Sequence, residues 1–157
     1  MSGARIAAGS GETNVATGVP LLDHLLTELA AAGRFDLSLE IDQGEPAAEV
    51  DAAGAALGQA LAPLLRNGAH GSGVMPAAEA LAMVAVEASG HALVASNADL
   101  TGAGGLGTDI AARFLATLTE TAQLTLHVRL IEGENTDHVL EAIFKALGVA
   151  LAEALNS

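Results

Sequence analysis

The feature that most constrains this chain is a near-repeat between its two halves. Residues 56–61 (ALGQAL) return 90 positions later as 146–151 (ALGVAL), with five of the six residues identical. An alternation of apolar and polar residues at 35–41, typical of a half-buried strand, returns 89 positions later at 124–130. We therefore predict an internal duplication, with halves at 1–68 and 69–157 that together form one domain.

Hydrophobic periodicity predicts the same elements in each half: a β-hairpin, then a helix, a strand and a helix. The first hairpin is predicted to be truncated, and Ser89 with Gly90 predicts the turn of the second. Glycine-rich connections are predicted at 67–76 and 100–107, and Gly33 is the predicted helix C-cap. The predicted helices are 21–32, 47–65, 108–122 and a last one capped by Thr136 or Asp137; the predicted strands are 5–7, 13–16, 35–41, 80–87, 92–98 and 124–131.

Composition argues against several classes of function. The net charge of −13 argues against nucleic acid and anionic membranes as partners, because phosphate groups need a basic surface. No apolar run approaches the roughly 18 residues of a membrane span, and the N-terminus lacks a secretory signal pattern, so the default expectation is a cytoplasmic protein. The chain has no cysteine, which excludes disulfides and thiolate metal sites.

The last predicted helix carries two residues that could bind a metal ion. His138 and Glu141 lie three positions apart, so both side chains project from the same side of the first helical turn. An imidazole and a carboxylate in this arrangement can ligate one divalent ion. The alternative is a solvated His and Glu on a helix surface, where such a spacing is common.

Gly102, Gly104 and Gly107 spell the G-x-G-x-x-G pattern of dinucleotide-binding proteins. The match is weak, because glycine is abundant here and the preceding strands are predicted to form a hairpin rather than a parallel β-α-β unit. A more modest alternative is an anion bound at the helix N-terminus near Thr108, with help from Arg113.

Several segments together resemble the imidazoleglycerol-phosphate dehydratase family of histidine biosynthesis. They cover nearly the whole chain, in order, at 16–24 (ATGVPLLDH), 33–37 (GRFDL), 56–61, 125–130 (TLHVRL), 133–135 (GEN) and 138–146. The resemblance implies an α+β fold of duplicated β-β-α-β-α halves, like the second domain of ribosomal protein S5. Four helices then pack between two sheets, and the first half is shortened.

The resemblance also implies two manganese ions, but most of their ligand positions have changed here. His24, His138 and Glu141 match metal ligands, and Glu141 is also the expected catalytic residue. Three groups can hold one ion but not two. Asp51 and Asp137 are weak substitutes, whereas three positions at which the family has histidine cannot ligate a metal: Ala47, Ala48 and Ile110.

Substrate-binding positions follow from the same resemblance. Arg113 and Lys145 are the predicted phosphate-binding residues; the alternatives are a surface ion pair for Arg113 and a solvated helix residue for Lys145. Glu79 matches the Glu of the family's D-E-A-L segment. A small anionic ligand is therefore expected.

Two functions remain open from the sequence. The depleted ligand set favours a non-catalytic relative, retained as a binding or assembly protein, with no cofactor. The alternative is an active lyase that uses one Mn2+ or another divalent ion. A homo-oligomer is expected in either case, with a trimer favoured over the family's 24-subunit shell because the ligands that bridge its trimers are largely absent here.

Overall fold

A computed structural model describes residues 2–100 and 109–157 of the chain. Among these residues, α-helices and strands alternate much as the sequence predicts. We number them β1 (Gly3–Ala8), β2 (Thr13–Ala16), α1 (Pro20–Gly33), β3 (Phe35–Glu40), α2 (Pro46–Leu61), β4 (His70–Ala77), β5 (Ala80–Glu87), β6 (Leu93–Ser96), α3 (Ile110–Ala122), β7 (Thr125–Glu132) and α4 (Thr136–Leu155), with a short 3-10 turn at Ala62–Leu64 after α2.

The strands form two mixed sheets of the same design. In the three-stranded sheet, β3 lies between an antiparallel β1 and a parallel β2. In the four-stranded sheet, β7 likewise lies between an antiparallel β5 and a parallel β6, and β4 adds to the outer side of β5. Each helix contacts at least one strand, so the apolar helix faces are covered by the sheets. The predicted α+β architecture is confirmed.

The helices of the two halves correspond in sequence, with an offset of 89 for α1 and α3 and of 90 for α2 and α4. The five buried residues of α1 (Leu22, Leu25, Leu26, Leu29, Ala30) each have a buried counterpart in α3 exactly 89 positions later (Ala111, Phe114, Leu115, Leu118, Thr119). Leu57 of α2 and Leu147 of α4, 90 positions apart, are both fully buried. Arg34 and Gln123, again 89 apart, both end their helices in the left-handed conformation. The internal duplication is therefore confirmed, while the predicted division at 68/69 stays a prediction.

Glycine allows helices from different halves to approach closely. Helix α1 packs on α4, and α2 packs on α3. A Cβ atom on Gly148 of α4 would meet the carbonyl oxygen of Leu29, and one on its counterpart Gly58 of α2 would lie 2.7 Å from Cβ of Thr121. Both helix pairs thus depend on a missing side chain at the same position of the repeat.

The predicted hairpins between the first two strands of each half are wrong. Strands β5 and β6 do not pair, because β7 lies between them, and β1 and β2 are separated by β3 in the same way. The segment at Ser89 and Gly90 therefore crosses to the other side of β7. The antiparallel neighbour of β5 is β4, which turns into it at Ala78, a residue with a φ of 51°.

The predicted connection at 67–76 is also wrong, since most of it is strand β4. Its glycines are there for close packing and not for a loop: a Cβ on Gly73 would lie 2.7 Å from the carbonyl oxygen of Ala146 in α4. Gly33 is likewise a helical residue that packs closely, and the C-cap is Arg34. The predicted loop beyond Leu100, the G-x-G-x-x-G motif and the anion site at Thr108 lie outside the described residues.

Candidate metal site

The first turn of α1 is held by hydrogen bonds within the Thr17–His24 segment. The buried Thr17 donates to Asp23 Oδ1 through its backbone N–H at 2.9 Å and through its hydroxyl at 2.5 Å. Pro20 opens the helix, where its missing N–H costs nothing. These contacts fix the start of α1, so that His24 projects toward the N-terminal part of α4.

Helix packing places His24 beside two carboxylates. His24 Nε2 lies 3.6 Å from Glu141 Oε1 on α4 and 4.0 Å from Glu28 Oε1 one turn further along α1. One ligand atom from each of the three side chains lies within 4.8 Å of the others. The imidazole is half exposed and the carboxylates are more than a quarter exposed, so a solute can reach all three.

The donor set of this cluster fits one divalent ion. An imidazole nitrogen with two carboxylate oxygens suits Mn2+ and similar cations, and three protein ligands leave coordination positions open for a solute. Two predicted ligands, His24 and Glu141, are therefore brought together. Sequence reasoning missed Glu28, although its position four residues after His24 places both on one helix face.

His138, the third predicted ligand, points to a different partner. The N-cap of α4 is Asn135, whose side chain accepts from the His138 backbone N–H at 3.2 Å; the predicted caps Thr136 and Asp137 are helical residues. His138 Nδ1 lies 2.9 Å from both carboxylate oxygens of Glu79, in the β4–β5 turn. The hydrogen bond that His138 donates to the Glu79 carboxylate raises the pKa of His138 and lowers the pKa of Glu79.

Among the described residues, one cluster has three side chains that could ligate a metal ion together: His24, Glu28 and Glu141. His138, Asp51 and Asp137 are not part of it. The sequence spacing of His138 and Glu141 is as predicted, but their side chains engage Glu79 and His24 respectively. Whether His138 ligates a metal stays a prediction.

The repeat places a counterpart of the cluster at equivalent positions, between α3 of the second half and α2 of the first. The offset of 89 relates His24 to Arg113 and Glu28 to Thr117, and the offset of 90 relates Glu141 to Asp51. Arg113 donates to Asp51 through Nε at 3.2 Å and through Nη2 at 2.6 Å, and the Thr117 hydroxyl lies 3.5 Å from Asp51 Oδ1.

This counterpart does not fit a metal ion. A guanidinium has no lone pair to offer and keeps its proton at any ordinary pH. The hydrogen bond and charge of Asp51 raise the pKa of Arg113 further. At the start of α2, Ala47 and Ala48 stand at the positions of Asp137 and His138 and add no ligand. Among the described residues one group of three metal-capable side chains is found, and the limit of one ion per chain stays a prediction.

The two predicted phosphate-binding residues are not brought together. Arg113 lies on α3 and is occupied by Asp51 of α2. Lys145 lies on α4 and donates to the carbonyl oxygen of Pro76 in β4 at 3.1 Å. A phosphate would have to displace Asp51 to reach Nε and Nη2 of Arg113 together. Phosphate binding by Arg113 or Lys145 stays a prediction.

Comparison with known proteins gives one consistent family. A family model described as imidazoleglycerol-phosphate dehydratase matches residues 17–151. Relatives carrying that name from Desulforudis audaxviator (strain MP104C) and Acetivibrio thermocellus are each 37% identical over 93% of this chain, and the alignments cover 79% and 80% of their own lengths.

Solved structures agree with this comparison. The imidazoleglycerol-phosphate dehydratase of Staphylococcus aureus subsp. aureus N315 matches 96% of this chain and 90% of its own, with a TM-score of 0.82 and 31% identity. The Pyrococcus furiosus structure, solved in complex with (S)-C348, has a TM-score of 0.77 at 26% identity and covers 96% of this chain. No helix in the described part of the chain is long and apolar enough to cross a membrane.

Proposed function

The chain belongs to the imidazoleglycerol-phosphate dehydratase family, and we propose that it dehydrates imidazoleglycerol phosphate, a step of histidine biosynthesis, at a reduced site with one metal ion. The observation that carries this proposal is the meeting of His24, Glu28 and Glu141 within 4.8 Å of one another. The relatives' shared name supports the dehydratase alternative better than a loss of activity.

His24, Glu28 and Glu141 are the residues that would hold the ion. When bound, a divalent cation supplies Lewis-acid stabilisation of negative charge on the substrate's imidazole ring. His24 must be neutral to donate its Nε2 lone pair, and the two carboxylates offset the charge of the cation. Exposure of all three side chains leaves room for the substrate from the solvent side.

His138 is suited to move a proton in this reaction. Loss of water requires one group that accepts a proton from carbon and one that delivers a proton to the departing hydroxyl. The Glu79 carboxylate accepts a hydrogen bond from Nδ1–H of His138 and raises the pKa of His138, which favours the imidazolium form with a proton on both ring nitrogens. We assign the delivery of the proton to His138, with Glu79 as its positioning residue.

Turnover of the substrate by the purified full chain tests the proposal. Imidazoleglycerol phosphate is incubated with the protein and Mn2+, and the formation of imidazoleacetol phosphate is followed. Turnover is expected to need the metal and to be lost in His24→Ala and in Glu141→Gln. His91→Ala is the matched control, because His91 is an exposed histidine outside the cluster.

A second candidate function is that of a non-catalytic relative that binds the substrate or a similar anion. The ion pair between Arg113 and Asp51 favours this second candidate, because it occupies the place where the repeat would put a second metal site. Calorimetry separates the two candidates. Saturable binding of imidazoleglycerol phosphate with Mn2+ bound, and without any product, would overturn the dehydratase proposal and support the binding protein.

A further inference from the structure

Strand β1 lies at the edge of its sheet, where the second half has one more strand. The counterpart of β1 is β5, because both are the antiparallel neighbours of the central strand of their sheets. Strand β4 covers the outer side of β5. Among residues 2–100 and 109–157, no strand pairs with the outer side of β1.

The backbone groups on this open edge can be identified from the pairing of β3. Leu37 N–H donates to Glu12 and Ile41 N–H donates to Ala16, so the odd-numbered residues of β3 bond toward β2. Its even-numbered residues bond toward β1, where their register partners are Gly3, Arg5 and Ala7. Since backbone groups alternate sides along a strand, the N–H and C=O groups of the residues between them point outward. These are Ala4, Ile6 and Ala8.

A cleft of about 770 Å3 extends across this sheet from β1 to β2, and its lining includes the apolar Ala4, Ile6, Ala60 and Leu64 beside the charged Arg5, Glu12 and Asp36. Leu64 is 48% exposed. In the second half, β4 packs on Ala150 of α4, which is the counterpart of Ala60 at the offset of 90. The part of the cleft beside Ala60 therefore lies where the repeat places a strand.

Other strand edges of this protein carry features that discourage pairing, and β1 does not. Strands β2 and β6 have four residues each, and the outer strand β4 contains Pro76. Short length and proline are common ways to keep an edge unpaired. Strand β1 has six residues, no proline and an unbroken register with β3.

We propose that β1 pairs with β1 of a second copy of this chain, antiparallel and about a twofold axis, which joins two three-stranded sheets into one of six strands. A register centred on Ile6 uses every outward backbone group, since Ala4 then pairs with the partner's Ala8. The same symmetry brings the two exposed Leu64 side chains toward the junction, where they can cover each other's cleft. Twofold contacts between identical patches are the commonest kind in homo-oligomers.

The charge of β1 itself is compatible with a second copy at this edge. Two chains of net charge −13 repel each other, so contacts between them are expected where carboxylates are scarce. Strand β1 carries Arg5 and no acidic residue. In the proposed register Arg5 lies opposite the partner's Ala7, which keeps the two arginines of the dimer apart.

Particle mass measured by light scattering on a size-exclusion column tests the contact. Leu64→Glu places a charge in the junction, and Ala8→Pro removes an outward N–H without breaking a bond to β3. Each variant is expected to lower the particle mass at least twofold. Leu93→Glu is the matched control, since Leu93 is 51% exposed on β6, and it is expected to leave the mass unchanged.

Cross-linking reads out the register and does not depend on those variants folding well. Arg5 and Ala7 form the non-hydrogen-bonded pair of the proposed junction, where Cα atoms lie about 4.5 Å apart, within reach of a disulfide. The chain has no cysteine of its own. A mixture of Arg5→Cys and Ala7→Cys chains is therefore expected to form a covalent dimer on mild oxidation faster than either variant alone.

Two results would overturn the proposal. One is a parent mass that Leu64→Glu and Ala8→Pro both leave unchanged while circular dichroism shows them folded. The other is equal cross-linking in the mixture and in the separate variants. If the edge instead takes a strand from a different protein, the purified chain gives both of these results.

Discussion

The clusters at His24 and at Arg113 occupy equivalent places in the repeat, each between a helix of one half and a helix of the other, yet their chemistry differs. In both, a carboxylate from the last helix of one half reaches a basic side chain on the first helix of the other. Glu141 meets His24 at 3.6 Å, while Asp51 meets Arg113 at 2.6 Å through two parallel hydrogen bonds. Imidazole can give up its proton and bind a metal, whereas guanidinium cannot.

This difference separates what the duplication determines from what single residues determine. The repeat sets which positions meet, because α1 packs on α4 as α3 packs on α2. The residue at each position then decides whether the side chains can ligate a metal ion or form a salt bridge instead. A change of one basic side chain therefore suffices to remove a metal site without altering the fold.

Exchanging the basic residues of the two clusters should remove metal binding from the first and create it in the second. This is the largest effect that we predict. His24→Arg should lower Mn2+ affinity more than about 100-fold, since it removes a ligand, which costs more than the loss of a supporting contact. Arg113→His with Thr117→Glu should raise the stoichiometry from one ion per chain to two, because it rebuilds the donor set around Asp51. Calorimetry and elemental analysis measure both changes.

The matched control for the exchange is Arg113→Lys, which keeps the charge and adds no ligand. It should leave the stoichiometry at one. Unchanged Mn2+ binding in His24→Arg would show that His24 is not a ligand. A single ion in the double variant would mean that geometry, and not residue type, decides which cluster binds a metal.

The second comparison concerns the equivalent glycines of α4 and α2. Gly148→Ala should lower the free energy of unfolding by about 2–3 kcal/mol, because the added Cβ meets backbone of α1 that cannot move aside. Gly58→Ala should cost less than Gly148→Ala, since the nearest backbone atom, the carbonyl oxygen of Leu118, lies at 3.2 Å and alanine favours helix. Urea unfolding measures both, and equal losses would contradict this reasoning.

Much of the fold could be predicted from the sequence because the apolar faces repeat at helical or strand spacing. Leu57 and Leu147 show this, since local periodicity and the offset agree there. Strand order could not be predicted, because pairing of β5 with β7 depends on the packed sheet. Strand β4 was missed because glycine signals a loop locally, while Gly71 and Gly73 are needed for contact with α4.

The site was predictable only in part for a similar reason. His24 and Glu141 are identified by motif resemblance, but their 3.6 Å approach depends on how α1 packs on α4. Glu28 lies outside the matched motifs and joins the cluster only through the helix face that it shares with His24. Glu79 could not be assigned to His138 without the turn between β4 and β5, which the sequence reasoning placed differently.

The pairing of His138 with Glu79 has no counterpart in the first half and should give a moderate dependence of stability on pH. The folded pKa of His138 is raised above 6.5, so its contribution is complete below pH 6.5 and is lost as pH rises through the folded value. The folded pKa of Glu79 is lowered below 4.5, so its contribution is complete above pH 4.5 and is lost as pH falls through the folded value. Stability from this pair should peak between these limits.

Nuclear magnetic resonance titration in the presence of a chelator measures this effect. In Glu79→Gln the pKa of His138 should fall back toward 6.5. The unfolding midpoint should then decrease less as the pH is raised above that value. Glu87→Gln, an exposed carboxylate at the other end of β5, is the control. A His138 pKa that Glu79→Gln leaves unchanged would show that the pair does not form in solution.

The smallest effect is expected from the ion pair between Arg113 of α3 and Asp51 of α2. Arg113 and Asp51 are 44% and 42% exposed, so water and salt screen most of their attraction. Asp51→Asn should therefore lower the urea midpoint by less than Gly58→Ala does, and the difference should vanish at about 1 M salt, where charges beyond a few ångströms no longer interact. A large, salt-resistant loss would mean that Asp51 holds α2 against α3 by packing. The ion pair would then help to hold these two helices together, and exchanging Arg113 for histidine would no longer test ligand chemistry alone.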